Sequence, residues 1–302
     1  MLKTRLQRVG KKITKGKISY LFILPYCTLF FIFTVLPVLA SIFLSFTNFN
    51  MLEVPEWNGI NNYLSLFLDD DIFLQSVGNT LVMAAIVGPG GYLLSLFLAW
   101  LINDLSPKVR YLFTLIFYAP SISGNVFMIW KVLFSSDVYG YLNGILMKLG
   151  LITEPIQWLA NPDYMMGCVI IVSLWLSLST SFLSFIAGLQ GIDRVMYEAA
   201  AIEGMRNRWQ ELWYVTLPAI KPQLMFGAVM SISSAFTVGD IGKELCGFPS
   251  ASYAVDTMMN RLDDFGSIKY EMGYASAIAT ILFIMMLLAN VFIRKFLNKI
   301  GA

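Results

Sequence analysis

Polar residues fall in short bands along this chain, separated by apolar runs at 18–52, 72–103, 111–130, 164–192, 222–239 and 272–293 that contain no Asp, Glu, Lys or Arg. Each run is near or above the roughly 18–20 residues that carry an α-helix across about 30 Å of hydrocarbon. A backbone in hydrocarbon must satisfy its own hydrogen bonds, which a helix does. The pattern therefore predicts an all-α integral membrane protein with six transmembrane helices. Pro25, Pro37 and the cluster Gly88-Pro89-Gly90-Gly91 interrupt the runs. In a bundle such breaks read as kinks or close-packing points, with a functional hinge as the alternative. Residues 139–160 carry Tyr141, Leu142, Ile145, Leu146 and Leu149 at helical spacing and then Trp158, a pattern that suits a helix lying at the membrane interface. No long linker or internal repeat is visible, so one domain is expected.

The basic residues orient the spans. Segments 1–17, 104–110, 193–221 and 294–302 carry sixteen Lys and Arg, and the alternating segments 53–71, 131–163 and 240–271 carry five. Positive charge collects on the cytoplasmic side, so both termini are expected there. The amino-terminal Lys3 to Lys17 precede an apolar stretch far longer than the 7–15 residues of a signal peptide, so it reads as a retained anchor.

Composition sharpens the picture. Of 302 residues 57% are hydrophobic and 13% charged, about half the charge that a soluble domain needs. A net charge of +2 gives no nucleic-acid footprint. The three cysteines form no CxxC pair, and Cys27 and Cys168, inside apolar runs, read as small buried hydrophobes. There is no histidine, which removes the commonest general base and metal ligand. The ionisable midplane groups by which ion-coupled carriers and membrane enzymes work are missing too. No GxxxxGK[ST] phosphate loop is present, so ATP hydrolysis by this chain is not expected. If the chain performs transport work, the energy must come through a partner.

The band between the fourth and fifth runs is where a partner would dock. Asp193 is a plausible N-cap, residues 194–203 are good helix formers, and Gly204 is placed to end the helix in a left-handed conformation. Ala199, Ala200 and Ala201 leave a smooth face for close approach. A second short helix presents Trp209, Leu212 and Trp213 before Pro218 leads into the fifth run.

The sequence Glu198-Ala199-Ala200, three residues, Gly204, then Val215-Thr216-Leu217-Pro218 resembles the signature loop of binding-protein-dependent ABC importer permeases. The flanks "GLQGID…YEAA" and "WQELWYVTLPAIKP" are similar to the sugar-importing branch, of maltose and glycerol-phosphate type. The "LFILP…VLP…SFT" opening is closer to the first-type permease of the pair. Arg110, Pro120, Trp130 and "MGYASA" extend the likeness over roughly residues 18–294. Ten residues separate Gly204 from Val215, one more than the family spacing, and Met205–Asn207 could absorb the extra one.

The resemblance implies a non-catalytic permease subunit in the bacterial cytoplasmic membrane. It would have a basic cytoplasmic segment 1–17, a six-span domain 18–293 with a two-helix coupling loop 191–222, and a tail 294–302. It implies a heterodimer with a second permease, two ATPase subunits that bind ATP and Mg, and an extracytoplasmic sugar-binding protein. Glu198, Ala199, Ala200, Gly204, Trp209, Leu217 and Pro218 would meet the ATPase. Import of another solute, such as phosphate or amino acids, is the alternative within the same architecture.

Sugars need hydroxyl and aromatic partners in place of water. The fourth run offers Ser173, Ser177, Thr180 and Ser184 at spacings of one helix face, with Trp175 nearby; the fifth offers Ser231, Ser234 and Thr237, and the third Tyr118, Ser123 and Asn125. Small hydroxyl residues also line helix contacts in membranes, so packing and pathway lining are both open here.

Overall fold

The computed structural model describes residues 17–124 and 126–300. The basic segment up to residue 16, Asn125 and residues 301–302 lie outside them. The described residues are mostly helical. α1 (Lys17–Phe30) runs through a π-helical turn, Phe31–Val35, into α2 (Leu36–Leu44). Pro37 explains the turn: it has no N–H for the Phe33 carbonyl and its ring crowds that carbonyl, so the helix widens by one residue. A two-residue antiparallel ribbon, β1 (Thr47–Asn48) and β2 (Glu56–Trp57), leads to α3 (Asn61–Leu68). α4 (Asp71–Asn103) is the longest element, capped by Asp70 Oδ1, which accepts from Phe73 N at 2.8 Å.

Next come α5 (Pro107–Ile122), α6 (Phe127–Leu133), α7 (Tyr141–Lys148), α8 (Pro162–Leu176) and α9 (Thr180–Gln190). α10 (Arg194–Ile202), α11 (Arg208–Glu211), a π-helical turn Leu212–Thr216 and α12 (Leu217–Ala219) form the loop before α13 (Lys221–Phe236). α14 (Asp240–Cys246), α15 (Met258–Asp263) and α16 (Met272–Ile300) complete the chain.

Among the described residues four helical stretches are apolar and long enough to cross a membrane: Leu21–Leu44, Asp71–Asn103, Pro162–Gln190, which α8 and α9 share across a break at Ser177–Ser179, and Met272–Lys295. The third run is bent, and the fifth forms the shorter α13, which meets the loop helices before it at a bend. Pro107–Ile122 meets Phe127–Leu133 at 89°, and Arg208–Ala219 meets Lys221–Phe236 at 82°. The expected six spans are thus four, or six if each bent pair serves as one. Pro222 supplies the second bend, since its missing N–H cannot continue the α12 ladder.

α4, α9 and α13 pack on one another at the centre, and α16 packs on α13 and α2. The core is layered along α4. Phe73 packs with Phe236, Met258 and Ile278 at one end, Met83 and Val87 with Val169 and Val172 in the middle, and Ala99 and Ile102 with Phe182 and Phe185 at the other. The Gly88–Gly91 cluster does not break α4. A Cβ at Gly91 would lie 2.6 Å from Ser177 Oγ, and one at Gly90 would lie 2.9 Å from Leu174 Cδ2. These glycines admit α8 against the α4 backbone, so close packing accounts for them. Cys168 is buried, as expected, but Cys27 is exposed on α1, most of whose surface this chain leaves uncovered.

The segment α7 forms as the spacing predicts, with Leu142 against Trp158 in the core and Tyr141, Ile145 and Leu149 exposed. Its anchor is Asn143, fully buried, whose amide nitrogen donates to the Ile156 carbonyl at 3.1 Å and whose oxygen accepts from Trp158 Nε1 at 2.8 Å.

Segment 240–271 is bound to the start of α4 by polar groups that sequence inspection passed over. Asn79 Nδ2 donates to the Tyr253 and Asp256 carbonyls at 2.9 Å, and Thr80 Oγ1 accepts from Met258 N at 2.9 Å. Arg261, 7% exposed, meets Asp70 at 2.5 Å, and Tyr274 donates its hydroxyl to the same carboxylate at 3.1 Å. Arg261 and Lys269 also lie over the Phe265 ring, at 4.8 and 3.9 Å. Burial raises the Asp256 carboxyl above the ordinary carboxylate range, against hydrogen bonds from Ser250 and the nearby Arg261 charge, which lower it.

A buried charge left without a partner costs about 3–5 kcal/mol, and Asp264, 3.7 Å from Arg261, offsets part of that when Asp70 is lost, whereas replacing both members by packed neutral groups costs little. Asp70→Asn, which keeps an N-cap, is expected to lower the melting temperature sharply, and Asp70→Asn with Arg261→Met to recover most of the loss. Equal melting of the single variant and wild type would show the pair to be dispensable.

Candidate functional site

The loop between α9 and α13 is built by local rules. Asp193 Oδ1 accepts from Val195 N at 3.1 Å and starts α10. The helix stops at Gly204, where φ is +93°. There Gly204 N donates to the Ala201 carbonyl and Met205 N to the Ala200 carbonyl, each at 3.1 Å. This pair of bonds is the Schellman closure, and it needs a left-handed residue. Asn207 then caps α11, accepting from Trp209 N at 3.1 Å, while Gln210 Oε1 accepts from Arg206 N at 3.1 Å.

A π-helical turn, Leu212–Thr216, joins α11 to α12. It holds one residue more than an α turn and keeps α11 and α12 in one helical path.

α10 has two faces. Ala200, 5% exposed, and Tyr197 turn inward, with the Tyr197 hydroxyl 3.0 Å from Thr216 Oγ1. Val195, Ala199 and Ile202 share an outward face, 63% exposed at Val195 and 89% at Ile202. The alanine triplet is therefore divided, Ala199 and Ala201 outward and Ala200 inward, because successive helical residues turn by about 100°. Glu198 is exposed beside the outward face, with no hydrogen-bond or ion-pair partner among the described residues. Trp209 and Trp213 are exposed by 53% and 60%, Pro218 is exposed, and Leu217 is half-buried.

Behind the loop lies a cleft of about 640 Å³ against the end of α4 and the start of α5. Its wall includes Trp100, on which Trp209 packs with centroids 5.0 Å apart and over which the Arg208 guanidinium sits at 4.8 Å. Arg208 also pairs with Asp104.

The hydroxyl stripes mostly serve their own helices. Ser173 is buried and donates to the Val169 carbonyl at 2.7 Å, and Ser177 donates to the Leu174 carbonyl at 2.6 Å. The helix is interrupted between Leu176 and Thr180, so Ser173 turns inward while Thr180 is exposed and Ser184 half-buried. Ser231 meets Ser181 Oγ at 3.1 Å across the α9–α13 contact. Ser234 and Thr237 are exposed but donate to the Ser231 and Ser233 carbonyls at 3.0 and 3.2 Å. Tyr118 is half-buried, and Ser123 is exposed where α5 breaks. Trp175 stands edge-on to Trp130 at 5.4 Å. The structure thus gathers Trp175 and Trp130, a pairing no sequence spacing announces, but not the four-residue stripe.

Residues 91–301 match the family described as binding-protein-dependent transport system inner membrane component. The chain is 33% identical over 298 residues to the probable ABC transporter permease protein YesP of Bacillus subtilis (strain 168), covering 95% of this chain and 92% of that protein. It is 33% identical over 218 residues to the lactose transport system permease protein LacF of Rhizobium radiobacter, covering 70% of each. Its fold matches a chain of the bacterial alginate ABC transporter, crystallised in complex with an alginate pentasaccharide-bound periplasmic protein, with a TM-score of 0.77 at 23% identity over 97% of this chain and 98% of that one. A chain with this fold, this loop and these relatives belongs to the family of binding-protein-dependent transport system inner membrane components, the non-catalytic permease subunits of ABC transporters.

Proposed function

We propose that this chain is one half of the translocation pathway of an ATP-driven importer of a sugar or oligosaccharide, in a bacterial cytoplasmic membrane. The substrate class is supported by relatives named for lactose and for arabinooligosaccharides, and by the sugar-type flanks of the loop. Six spans over 18–293, with both termini cytoplasmic, follow from the sixteen-to-five basic asymmetry. The second permease, two ATPase subunits carrying ATP and Mg, and an external binding protein complete the assembly.

One observation carries the coupling role. α10 presents Val195, Ala199 and Ile202 to the outside, with Glu198 beside them and unpaired among the described residues, past the apolar run that ends at Ile192. Exposed apolar surface of that kind marks a protein partner. Closure of the ATPases on ATP would move this loop and switch the pathway between inward- and outward-facing states, biased by different contacts in each. Trp175, with Trp130, is the aromatic surface best placed to meet sugar.

The test is hydrolysis in reconstituted vesicles. The chain alone is expected to show none, and the assembled complex to hydrolyse ATP faster when liganded sugar-binding protein is added. Stimulation by an amino-acid- or phosphate-loaded protein instead would redirect the substrate class.

A further inference from the structure

We propose that the cleft behind the coupling loop binds one phosphate-bearing anion, supplied by the headgroup of an anionic phospholipid. The cleft lies between the α4–α5 turn and the start of α10, and Arg110, Arg194 and Arg208 line it together with Asp104 and Glu211. Arg208 is paired with Asp104, which leaves Arg110 and Arg194 against Glu211 and a surplus of one positive charge. Arg110 spends one nitrogen on the Asn103 carbonyl at 2.8 Å, so its fork is oriented with further N–H groups free. Arg194 is exposed and has no partner among the described residues. Two guanidinium groups lining one cavity suit a singly charged phosphate diester, whose oxygens accept paired N–H bonds.

Position along the chain names the source. The apolar runs 72–103 and 164–192 end, and the run from 111 begins, at or beside cleft-lining residues, so the cleft opens where the membrane-crossing stretches give way to charged ones. Basic pockets between helices at that level collect anionic lipid. Protein docking is the weaker account of the cleft. Val195, Ala199 and Ile202, which suit a partner, lie about 80–140° around the helix from Arg194 and about 140–160° from Tyr197, both of which line the cleft with Trp100 and Asn103 of α4. A phosphate held there would strut the end of α4 to the first turn of the coupling helix. This assignment needs only the family's membrane placement, so it stands or falls apart from the coupling role.

The test uses the purified complex in mild detergent, loaded with equal phosphatidylglycerol and phosphatidylcholine, with retained lipid counted by native mass spectrometry. Wild type is expected to keep one phosphatidylglycerol in preference to phosphatidylcholine by about tenfold. Arg194→Gln, and Arg110→Gln with Arg194→Gln, are expected to lose that preference, while Lys148→Gln on α7 keeps it. The single Arg194→Gln variant removes an exposed side chain, so its folding is not at issue. Equal retention of both lipids by wild type, or an unchanged preference in Arg194→Gln and the double variant, would overturn the site. Displacement of the lipid by about 10 mM inorganic phosphate would overturn its lipid source and name soluble phosphate instead.

Discussion

Gly204→Asp is expected to leave the chain inserted and assembled while cutting sugar taken up per ATP hydrolysed by about tenfold. Space is not the obstacle, because a Cβ at Gly204 would meet nothing within 4 Å. Conformation is. With φ at +93°, a residue with a Cβ is strained by about 1–2 kcal/mol, and relaxing that strain breaks the bonds from Gly204 and Met205 to the Ala201 and Ala200 carbonyls. The end of α10 would then point elsewhere, and the new carboxylate would stand on the surface where we propose that the ATPase docks. A loss of 1.4 kcal/mol in the docked state is a tenfold change in its population.

Gly204→Ala separates the two causes, since it carries the strain without the charge. Glu198→Ala tests the neighbouring contact, at about 1–3 kcal/mol if a basic group of the partner is left buried without it. ATPase co-purification, hydrolysis and uptake should be measured side by side. Wild-type values in all three for Gly204→Asp would remove this loop from the coupling path.

Gly227→Val is expected to fail earlier, in folding. Gly227 lies on α13 where the fully buried Phe185 ring of α9 rests on its backbone, and an added Cβ would overlap that ring. Ser181 Oγ donates to the Gly227 carbonyl at 3.2 Å and ties the two backbones at the same point. Overpacking a close-packed core costs about 1–3 kcal/mol, and valine, stiff at χ1, belongs at the upper end. A large drop in the yield and melting temperature of the detergent-solubilised chain should follow, partly restored by Phe185→Leu. Unchanged melting would mean that α9 and α13 can separate without loss, against the packing described above.

The two predictions differ in how they could be foreseen. Gly204 was legible in the sequence because helix termination is a local matter, decided by a few residues on either side. The same holds for the Asp193 cap and for apolar runs too long to be anything but membrane-crossing helix. Hydrophobic length and capping are properties of consecutive residues, so a linear reading recovers them.

Gly227 was not legible, since nothing in its own segment says that Phe185 lies across from it. Nor was the inward turn of Ala200, the π turn at Leu212–Thr216, or the bends beside the third and fifth runs. The hydroxyl stripes misled for a related reason. Spacing along one ideal helix says nothing about a break at Ser177–Ser179, or about whether a hydroxyl will bond its own backbone. Asp70 and Arg261 stand 191 positions apart, and only the packing of α15 and α16 against the start of α4 joins them. Helix rotation, helix bending and long-range pairing are set by contacts between segments, and those exist only once the chain is folded.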